Sequence, residues 1–284
     1  MKRKLSKLML GGLLILACYQ TVNAQTIPRV EIENSELLTY TSRTVEGQEY
    51  RLFINVPGSY KSDPTKIYSV IYLLDAQFDF PTFKGVYGGL KSDGLIPECV
   101  TVGITWGGTN PNIQALRARD FLTTTSAEPA VNGGAKFLAF IKNELIPLIK
   151  SKYRVNDDRT LIGNSFGGFF TLYTLFNEPA LFNRYIVSSP TPIQQLQSWE
   201  TKYAAVGSPQ PTRLFMGKGS LEGGLTTEFA DLAERLKKVK NLEVQAMDIV
   251  NMGHSSNKPE TYSRGLLWGF KAPFQNVAPN QPIK

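Results

Sequence analysis

Short apolar runs alternate along the chain with stretches that have helical spacing. Alternating apolar and polar residues at 37–45 and 50–56 predict two half-buried antiparallel strands. Nearly continuous apolar runs at 68–74 and 99–105 predict strands that are covered on both faces. Further strands are predicted at 159–162, 185–188, 213–216 and 242–247, and helices at 133–153, 166–176, 226–239 and 258–270, the first with a kink at Pro147.

Strands that alternate with helices indicate βαβ units, which build a mostly parallel sheet with helices on both faces. The predicted fold class is therefore α/β. The segments 107–132 and 191–210 are the least periodic and are rich in Gly, Pro, Asn, Ser and Thr. Segments of that kind commonly form substrate-facing loops.

The first residues have the layout of a secretory signal peptide. Basic residues precede the apolar run 8–18, and the small residues of 22–24 follow it. The run is shorter than the roughly 20 apolar residues of a membrane-spanning helix. We therefore expect a signal peptide at 1–24 and an exported catalytic domain at 25–284, periplasmic or extracellular. The alternatives are a retained membrane anchor and a lipoprotein acylated at Cys18.

The leader also accounts for much of the positive charge. The chain has 31 Lys and Arg against 24 Asp and Glu, and four of the basic residues lie in the leader, which leaves 27 against 24. A mature charge of about +3 gives weak support for a nucleic-acid or membrane partner, and no dense basic run is interleaved with aromatics. We expect neither nucleic acid nor stable membrane insertion.

Cysteine and histidine are scarce. After leader cleavage Cys99 is the only cysteine, and His254 is the only histidine of the chain. An internal disulfide, a zinc site built from His and Cys, and the HExxH motif are therefore excluded. We expect no metal and no other cofactor.

The stretch 161–168, LIGNSFGG, contains a G-x-S-x-G motif between a predicted strand and a predicted helix. A serine hydroxyl becomes a nucleophile when it lies on a tight turn beside a base, and glycines two residues away avoid collision there. Ser165 is therefore the candidate nucleophile, flanked by Gly163 and Gly167. Gly168 allows close packing of the helix, whose first N–H, that of Phe166, is a candidate oxyanion donor.

The candidate base is His254, in a glycine-containing loop directly after the last predicted strand. The acid is expected in the loop after the preceding strand, where Glu222 is the first carboxylate. Asp231 and Asp248 are its rivals, and a solvated glutamate at a helix start is the alternative role for Glu222. The second oxyanion donor is expected after the strand 68–74, from the backbone of Ala76 or Gln77.

These residues resemble the esterase D-like family of the α/β-hydrolase superfamily, in particular the branch similar to periplasmic siderophore esterases. The resemblance covers roughly 50–268 and rests on VIYLLDAQFDF (70–80), RARDF (117–121), NELIPLIKSKYRV (143–155), RTLIGNSFGGFFTLY (159–173), LFNRYIVSSPT (181–191) and MGHSS (252–256). It implies an α/β-hydrolase fold and a carboxylic ester hydrolase whose motifs fall on Ser165, His254 and, less directly, Glu222. Family 1 carbohydrate esterases and mycolyl-type acyltransferases belong to the same family.

The chain departs from the family pattern in places that bear on the site. Asn164 stands where relatives usually have histidine, Ala76 stands where many have glycine, and the tryptophans that many place after Ser189-Pro190 are missing. The pocket wall is therefore expected to differ from that of the relatives.

Substrate contacts are expected from arginine and aromatic side chains. Arg117 and Arg119 either hold an anionic or catecholate substrate or pair with Asp120. Trp106 and Phe78 either line the cleft or belong to the core. The sequence thus predicts an exported serine esterase acting on a small-molecule siderophore ester or a polysaccharide-linked acyl ester. The alternatives are an acyltransferase and a non-catalytic binding protein with the same fold.

Overall fold

The computed structural model describes residues 31–123 and 132–271. The predicted signal peptide 1–24 and its Cys18 lie outside the described residues, as does the part 124–131 of the predicted loop 107–132. Among the described residues, none of the helices combines the length and the apolar character that crossing a bilayer requires.

The described residues form an eight-stranded sheet. Its strands are β1 (Ser35–Thr41), β2 (Glu49–Asn55), β3 (Tyr68–Leu73), β4 (Cys99–Trp106), β5 (Val155–Asn164), β6 (Arg184–Ser188), β7 (Thr212–Gly219) and β8 (Leu242–Ile249). The helices are α1 (Ser59–Ser62), α2 (Ala76–Ser92), α3 (Ile113–Phe121), α4 (Gly134–Phe140), α5 (Ile146–Lys152), α6 (Phe166–Asn177), α7 (Gln197–Val206), α8 (Thr226–Leu236) and α9 (Lys258–Gly269).

The strand order is β1-β2-β4-β3-β5-β6-β7-β8. β2 is antiparallel to both of its neighbours, and every other neighbouring pair is parallel. The mostly parallel sheet is confirmed. Since parallel strands place their carboxyl ends at one edge, the turns after β3, β5, β7 and β8 meet at that edge.

Helices cover both faces of the sheet, as predicted. On one face α2 and α9 pack over Ile71, Leu73 and Ile162. On the other face the larger cluster joins α3 to α8 and is rich in aromatic rings, including the stacked Tyr50 and Phe140. Burial on both faces explains why β3 and β4 read as continuous apolar runs.

The predicted helix 133–153 is interrupted rather than simply kinked. α4 and α5 are joined by the π-helical turn Ile141–Leu145, and Pro147 lies at the start of α5. Proline lacks an N–H, and its ring crowds the carbonyl four residues earlier. The wider π-helical turn before Pro147 makes room for this ring.

Helices α1, α2, α3 and α7 were not predicted, and α3 and α7 lie in the segments 107–132 and 191–210 that were predicted as loops. Pro81 and several glycines lower the helix propensity of the α2 sequence. The residues Ala76, Phe80, Phe83 and Tyr87 are nevertheless all buried at helical spacing. Packing against the sheet therefore outweighs the local propensity.

Candidate active site

Ser165 lies on the turn between β5 and α6 with φ 58° and ψ −121°. This conformation is rare for a non-glycine residue and costs about 1–3 kcal/mol. A Cβ added at Gly163 would lie 2.2 Å from the Gly167 carbonyl oxygen, and one at Gly168 would lie 2.9 Å from the Ser188 oxygen. Both positions therefore require glycine.

Gly167 is less constrained than the motif suggests. A Cβ there would lie 3.4 Å from Oδ2 of Asp75, which is an ordinary contact. The expectation that both flanking glycines avoid a collision is thus correct for Gly163 and wrong for Gly167. The clash at Gly163 involves the backbone of residue 167 and the Thr171 hydroxyl at 2.6 Å, not Ser165.

The candidate oxyanion donors are free in the described part of the chain. The backbone N–H groups of Phe166, Ala76 and Gln77 find no acceptor there, because they belong to the first turns of α6 and α2. The turn before α2 has Asp75 at φ 55°, and its carboxylate lies beside Gly167 in the first turn of α6. Two helix N-termini therefore lie side by side, and each favours negative charge.

His254 is bonded to the predicted acid. Its Nδ1 lies 2.6 Å from Oε2 of Glu222, whose side chain is 8% exposed. An imidazole that donates from Nδ1 keeps Nε2 free to accept a proton. The rival acids lie elsewhere: Asp248 pairs with Lys218 at 3.0 Å, and Asp231 is exposed on α8.

The other oxygen of Glu222 is held by further donors. Oε1 accepts from the Ser189 hydroxyl at 2.6 Å and from the Gly219 N–H at 2.7 Å. Nδ2 of the buried Asn257 lies 3.4 Å away. These contacts fix the rotamer that presents Oε2 to the imidazole.

Ser165 and His254 line one cleft of about 350 Å³. The hydroxyl and the imidazole are not hydrogen-bonded to each other in the described chain, although both face this space. Bonds of this kind are often long in free enzymes and shorten when substrate binds. The cleft is further lined by Asp75, Phe78, Asp79, Arg117, Asn164, Ser255 and Lys258.

Arg117 pairs with Asp75 across the cleft wall. Its Nε and Nη2 donate to the two carboxylate oxygens at 2.7 and 2.9 Å, and its guanidinium lies over the ring of Phe166. Burial raises the pKa of Asp75, and the guanidinium opposes that rise. The pair thus joins α3 to the turn that carries Ala76 and Gln77.

A second ion pair holds the first turn of α2 from the other side. Asp79 accepts from the Lys258 ammonium group and, at 2.7 Å, from the Tyr262 hydroxyl, both on α9. Burial and the neighbouring Asp79 raise the pKa of Tyr262 well above its usual range, so that this hydroxyl remains a donor. The loop of His254 and the turn of Asp75 are therefore tied together through α2 and α9.

Of the predicted substrate contacts, Phe78 and Arg117 line the cleft, and Phe78 is exposed. Arg119 does not: it pairs with Asp120 and borders a separate cavity. Trp106 is 2% exposed and donates to Asp120 at 2.7 Å. Arg119 and Trp106, predicted as substrate contacts, thus take the structural alternative: Arg119 pairs with Asp120 while 31% exposed, and Trp106 is buried against it. For Arg117 the alternative to substrate contact was pairing with Asp120, but its guanidinium pairs with Asp75.

Sequence reasoning missed Ser189, Asn257, Asp79 and Lys258. Asn257, just before the Lys258-Pro259 start of α9, has the signal of a helix cap and could have been found. The contact between Asp79 and Lys258 spans 179 residues of sequence, and no local pattern indicates it. Among the described residues no group of His, Cys, Asp and Glu is arranged to hold a metal ion.

The strand order, the strained serine turn, and the contact between Glu222 after β7 and His254 after β8 define the chain as an α/β-hydrolase. The family model described as "Putative esterase" matches residues 42–262. The chain belongs to this family of the α/β-hydrolase superfamily and is a carboxylic ester hydrolase.

Similar proteins include enzymes named for siderophore esters. Over 273 residues the chain is 30% identical to ferri-bacillibactin esterase BesA of Bacillus subtilis, covering 87% of this chain and 91% of that one. The crystal structure of BES protein from Bacillus cereus has a TM-score of 0.76 at 27% identity, over 87% of this chain and 100% of that one. Siderophore hydrolase EstB from Aspergillus nidulans has a TM-score of 0.76 at 19% identity, over 89% and 100%, and supports the fold alone.

Proposed function

We propose that this protein is an exported serine esterase in which Ser165, His254 and Glu222 form a catalytic triad. The observation that carries the proposal is the 2.6 Å contact between His254 Nδ1 and Glu222 Oε2 at the rim of the cleft that Ser165 lines. The leader at 1–24 supports export.

In the proposed reaction His254 Nε2 takes the proton of the Ser165 hydroxyl as its oxygen attacks the ester carbonyl. Glu222 holds the imidazole in the tautomer that accepts at Nε2 and stabilises the imidazolium that forms. His254 then donates the proton to the leaving alkoxide, which departs as alcohol. The acyl group remains on Ser165 as an ester.

The negative oxygen of the tetrahedral intermediate is stabilised by preorganised donors. The N–H of Phe166 supplies one, and the turn of Ala76 and Gln77 supplies the other. Ion pairs from Arg117 and Lys258 support that turn from two sides. Removal of one such donor typically costs about 100- to 1,000-fold in kcat.

Water is the proposed acyl acceptor. The His254 side chain is 41% exposed, so that solvent reaches the imidazole that must activate the second nucleophile. An acyltransferase would have to exclude water from the acyl-enzyme, and a non-catalytic binding protein would not need the strained turn at Ser165.

The proposed substrate is a small-molecule siderophore ester. The name of the Bacillus subtilis relative, ferri-bacillibactin esterase, favours it over a polysaccharide-linked acyl ester. Charges on the cleft lining occur as opposed pairs, Asp75 with Arg117 and Asp79 with Lys258. Both cations are thus already paired with a carboxylate. Arg117 or Lys258 could bind an anionic substrate only after its present ion pair has rearranged.

A substrate panel tests the proposal. The mature protein is incubated with a catecholate trilactone, a feruloyl sugar and an aryl acetate, with and without an added alcohol, and the products are separated by liquid chromatography. We expect fastest turnover of the trilactone and free acid as the product. Preferential cleavage of the feruloyl sugar would reject the siderophore substrate, and ester formed with the added alcohol would reject hydrolysis in favour of transfer.

A further inference from the structure

Asn257 connects the acid, the base and the strand beside the nucleophile. It directly precedes α9 and is fully buried. A buried amide stabilises the fold only when its donors and acceptors are satisfied, so its partners define what it positions.

The oxygen of this amide faces the scaffold. Oδ1 accepts from the Thr261 hydroxyl at 2.9 Å, one turn along α9. The Ser188 hydroxyl lies 2.8 Å from Oδ1 and also 2.8 Å from Oδ1 of Asn164, the residue before Ser165. Because Ser188 has one proton, it bonds one of these two oxygens at a time.

The nitrogen of the amide faces the candidate triad. Nδ2 lies 2.9 Å from the Gly253 carbonyl oxygen and 3.0 Å from that of His254, so that it closes the loop that carries the imidazole. It also lies 2.8 Å from the Ser189 hydroxyl oxygen, whose proton goes to Glu222 Oε1 at 2.6 Å. One amide group therefore contacts the backbone of the base and orients a donor onto the acid.

Resting on the proposed function, we infer that Asn257 is a positioning residue for the His254–Glu222 pair. It acts through the His254 loop and through the Ser189 hydroxyl, and it touches neither substrate nor the reacting atoms. Loss of its two N–H donors removes the side-chain contacts to the Gly253 and His254 carbonyl oxygens and allows the Ser189 proton to turn away from Glu222. The carboxylate then no longer holds Oε2 against the imidazole.

The geometry identifies matched variants. Asn257→Asp keeps the shape and the acceptor contacts but removes both donors. Ser189→Ala removes only the hydroxyl between Asn257 and Glu222, and it is the milder change if Asn257→Asp fails to fold. Thr261→Val is the control: it breaks the bond at the opposite end of the same buried amide and contacts neither Glu222 nor His254.

We expect Asn257→Asp to lower kcat about 100-fold and Ser189→Ala about 10-fold, with KM changed less than about 3-fold, because positioning contacts act on transition-state orientation. Thr261→Val should stay within about 3-fold of the wild type. The double variant of Asn257→Asp and Ser189→Ala should be about as slow as Asn257→Asp alone, because both changes break the same chain of hydrogen bonds from Asn257 through Ser189 to Glu222.

A second readout does not depend on activity. His254 is the only histidine of the chain, so that nitrogen-15 histidine labelling of untagged protein reports on one imidazole. The Nδ1-bound proton signal should persist in the wild type and Thr261→Val and be lost or displaced in Asn257→Asp and Ser189→Ala. An unchanged proton signal together with wild-type kcat in both Asn257→Asp and Ser189→Ala would overturn the inference. Equal loss of the signal in these two variants and in Thr261→Val would overturn it as well. A wild type without turnover of any ester would overturn the proposed function instead, and the imidazole signal would still decide the role of Asn257.

Discussion

Asp75 and Ser165 occupy equivalent places at the ends of two neighbouring parallel strands, and both have positive φ, 55° and 58°. Each directly precedes a helix, α2 or α6. Asp75 lies beside the first turn of α6, since a Cβ on Gly167 would lie 3.4 Å from the Asp75 carboxylate. Asp75 and Ser165 both line the same cleft, and whatever fixes Asp75 also fixes one side of the proposed oxyanion site.

The Arg117–Asp75 pair is expected to govern stability as well as activity. Arg117→Leu leaves a buried carboxylate unpaired and should lower the free energy of unfolding by about 3–5 kcal/mol. Asp75→Asn removes the charge and tolerates the left-handed backbone. The double variant should therefore regain at least about 2 kcal/mol in urea unfolding. A double variant less stable than Arg117→Leu alone would contradict this role for the pair.

The glycines of the serine turn should differ sharply in their tolerance. Gly163→Ala places a Cβ 2.2 Å from a backbone oxygen and should cost more than about 3 kcal/mol or prevent folding. Gly167→Ala meets ordinary contacts within a helix and should stay within about 1 kcal/mol of the wild type. Thermal unfolding of both proteins tests this. An equal loss of stability in the two variants would contradict the geometry of the turn.

Glu222→Gln should lower kcat by about 1,000- to 10,000-fold with little change in KM, because a neutral amide can hold the wrong imidazole tautomer. The matched control is Asp231→Asn, which changes an exposed carboxylate on the following helix and should leave the rate unchanged. Steady-state hydrolysis of an aryl acetate measures both. If Glu222→Gln kept wild-type kcat, Glu222 would not be the acid.

Lys84 gives a pH-dependent prediction for stability. Burial lowers its pKa to about 8, so that the folded state loses this proton before the unfolded state does. The resulting destabilisation is fully present below pH 8 and is relieved as the pH rises toward the usual lysine value near 10.4. Lys84→Met lacks this dependence.

The free-energy difference between wild type and Lys84→Met should therefore shift by about 1–3 kcal/mol in favour of the wild type between pH 7.5 and pH 10. Chemical unfolding at several pH values measures it. Parallel stability curves for the two proteins would show that the Lys84 ammonium group is not perturbed in the folded state.

Much of the fold could be predicted because burial on both faces leaves a direct trace in the sequence. β3 and β4 read as apolar runs, and β5, β6 and β7 follow the same pattern between helices. The order of these parallel strands along the chain then predicted that the loops of Ser165, Glu222 and His254 lie at one edge of the sheet. Glu222 could be chosen over its rivals because it is the first carboxylate after β7.

Other parts of the site could not be predicted, since they depend on pairs of residues that meet only in three dimensions. Arg117 and Asp75 are 42 positions apart, and Lys258 and Asp79 are 179 apart. Arg119 and Trp106 are residue types that often contact substrates, but both bind the buried carboxylate of Asp120 instead. The residue type alone does not tell a cleft arginine from a structural one.

The central claim is that the Ser165 hydroxyl is an activated nucleophile. Intact-mass spectrometry after treatment with a fluorophosphonate, followed by peptide mapping, tests it most directly. The wild type should gain one adduct, on Ser165, and Ser165→Ala should gain none. An unlabelled wild type, or an adduct that maps to another residue and persists in Ser165→Ala, would contradict it.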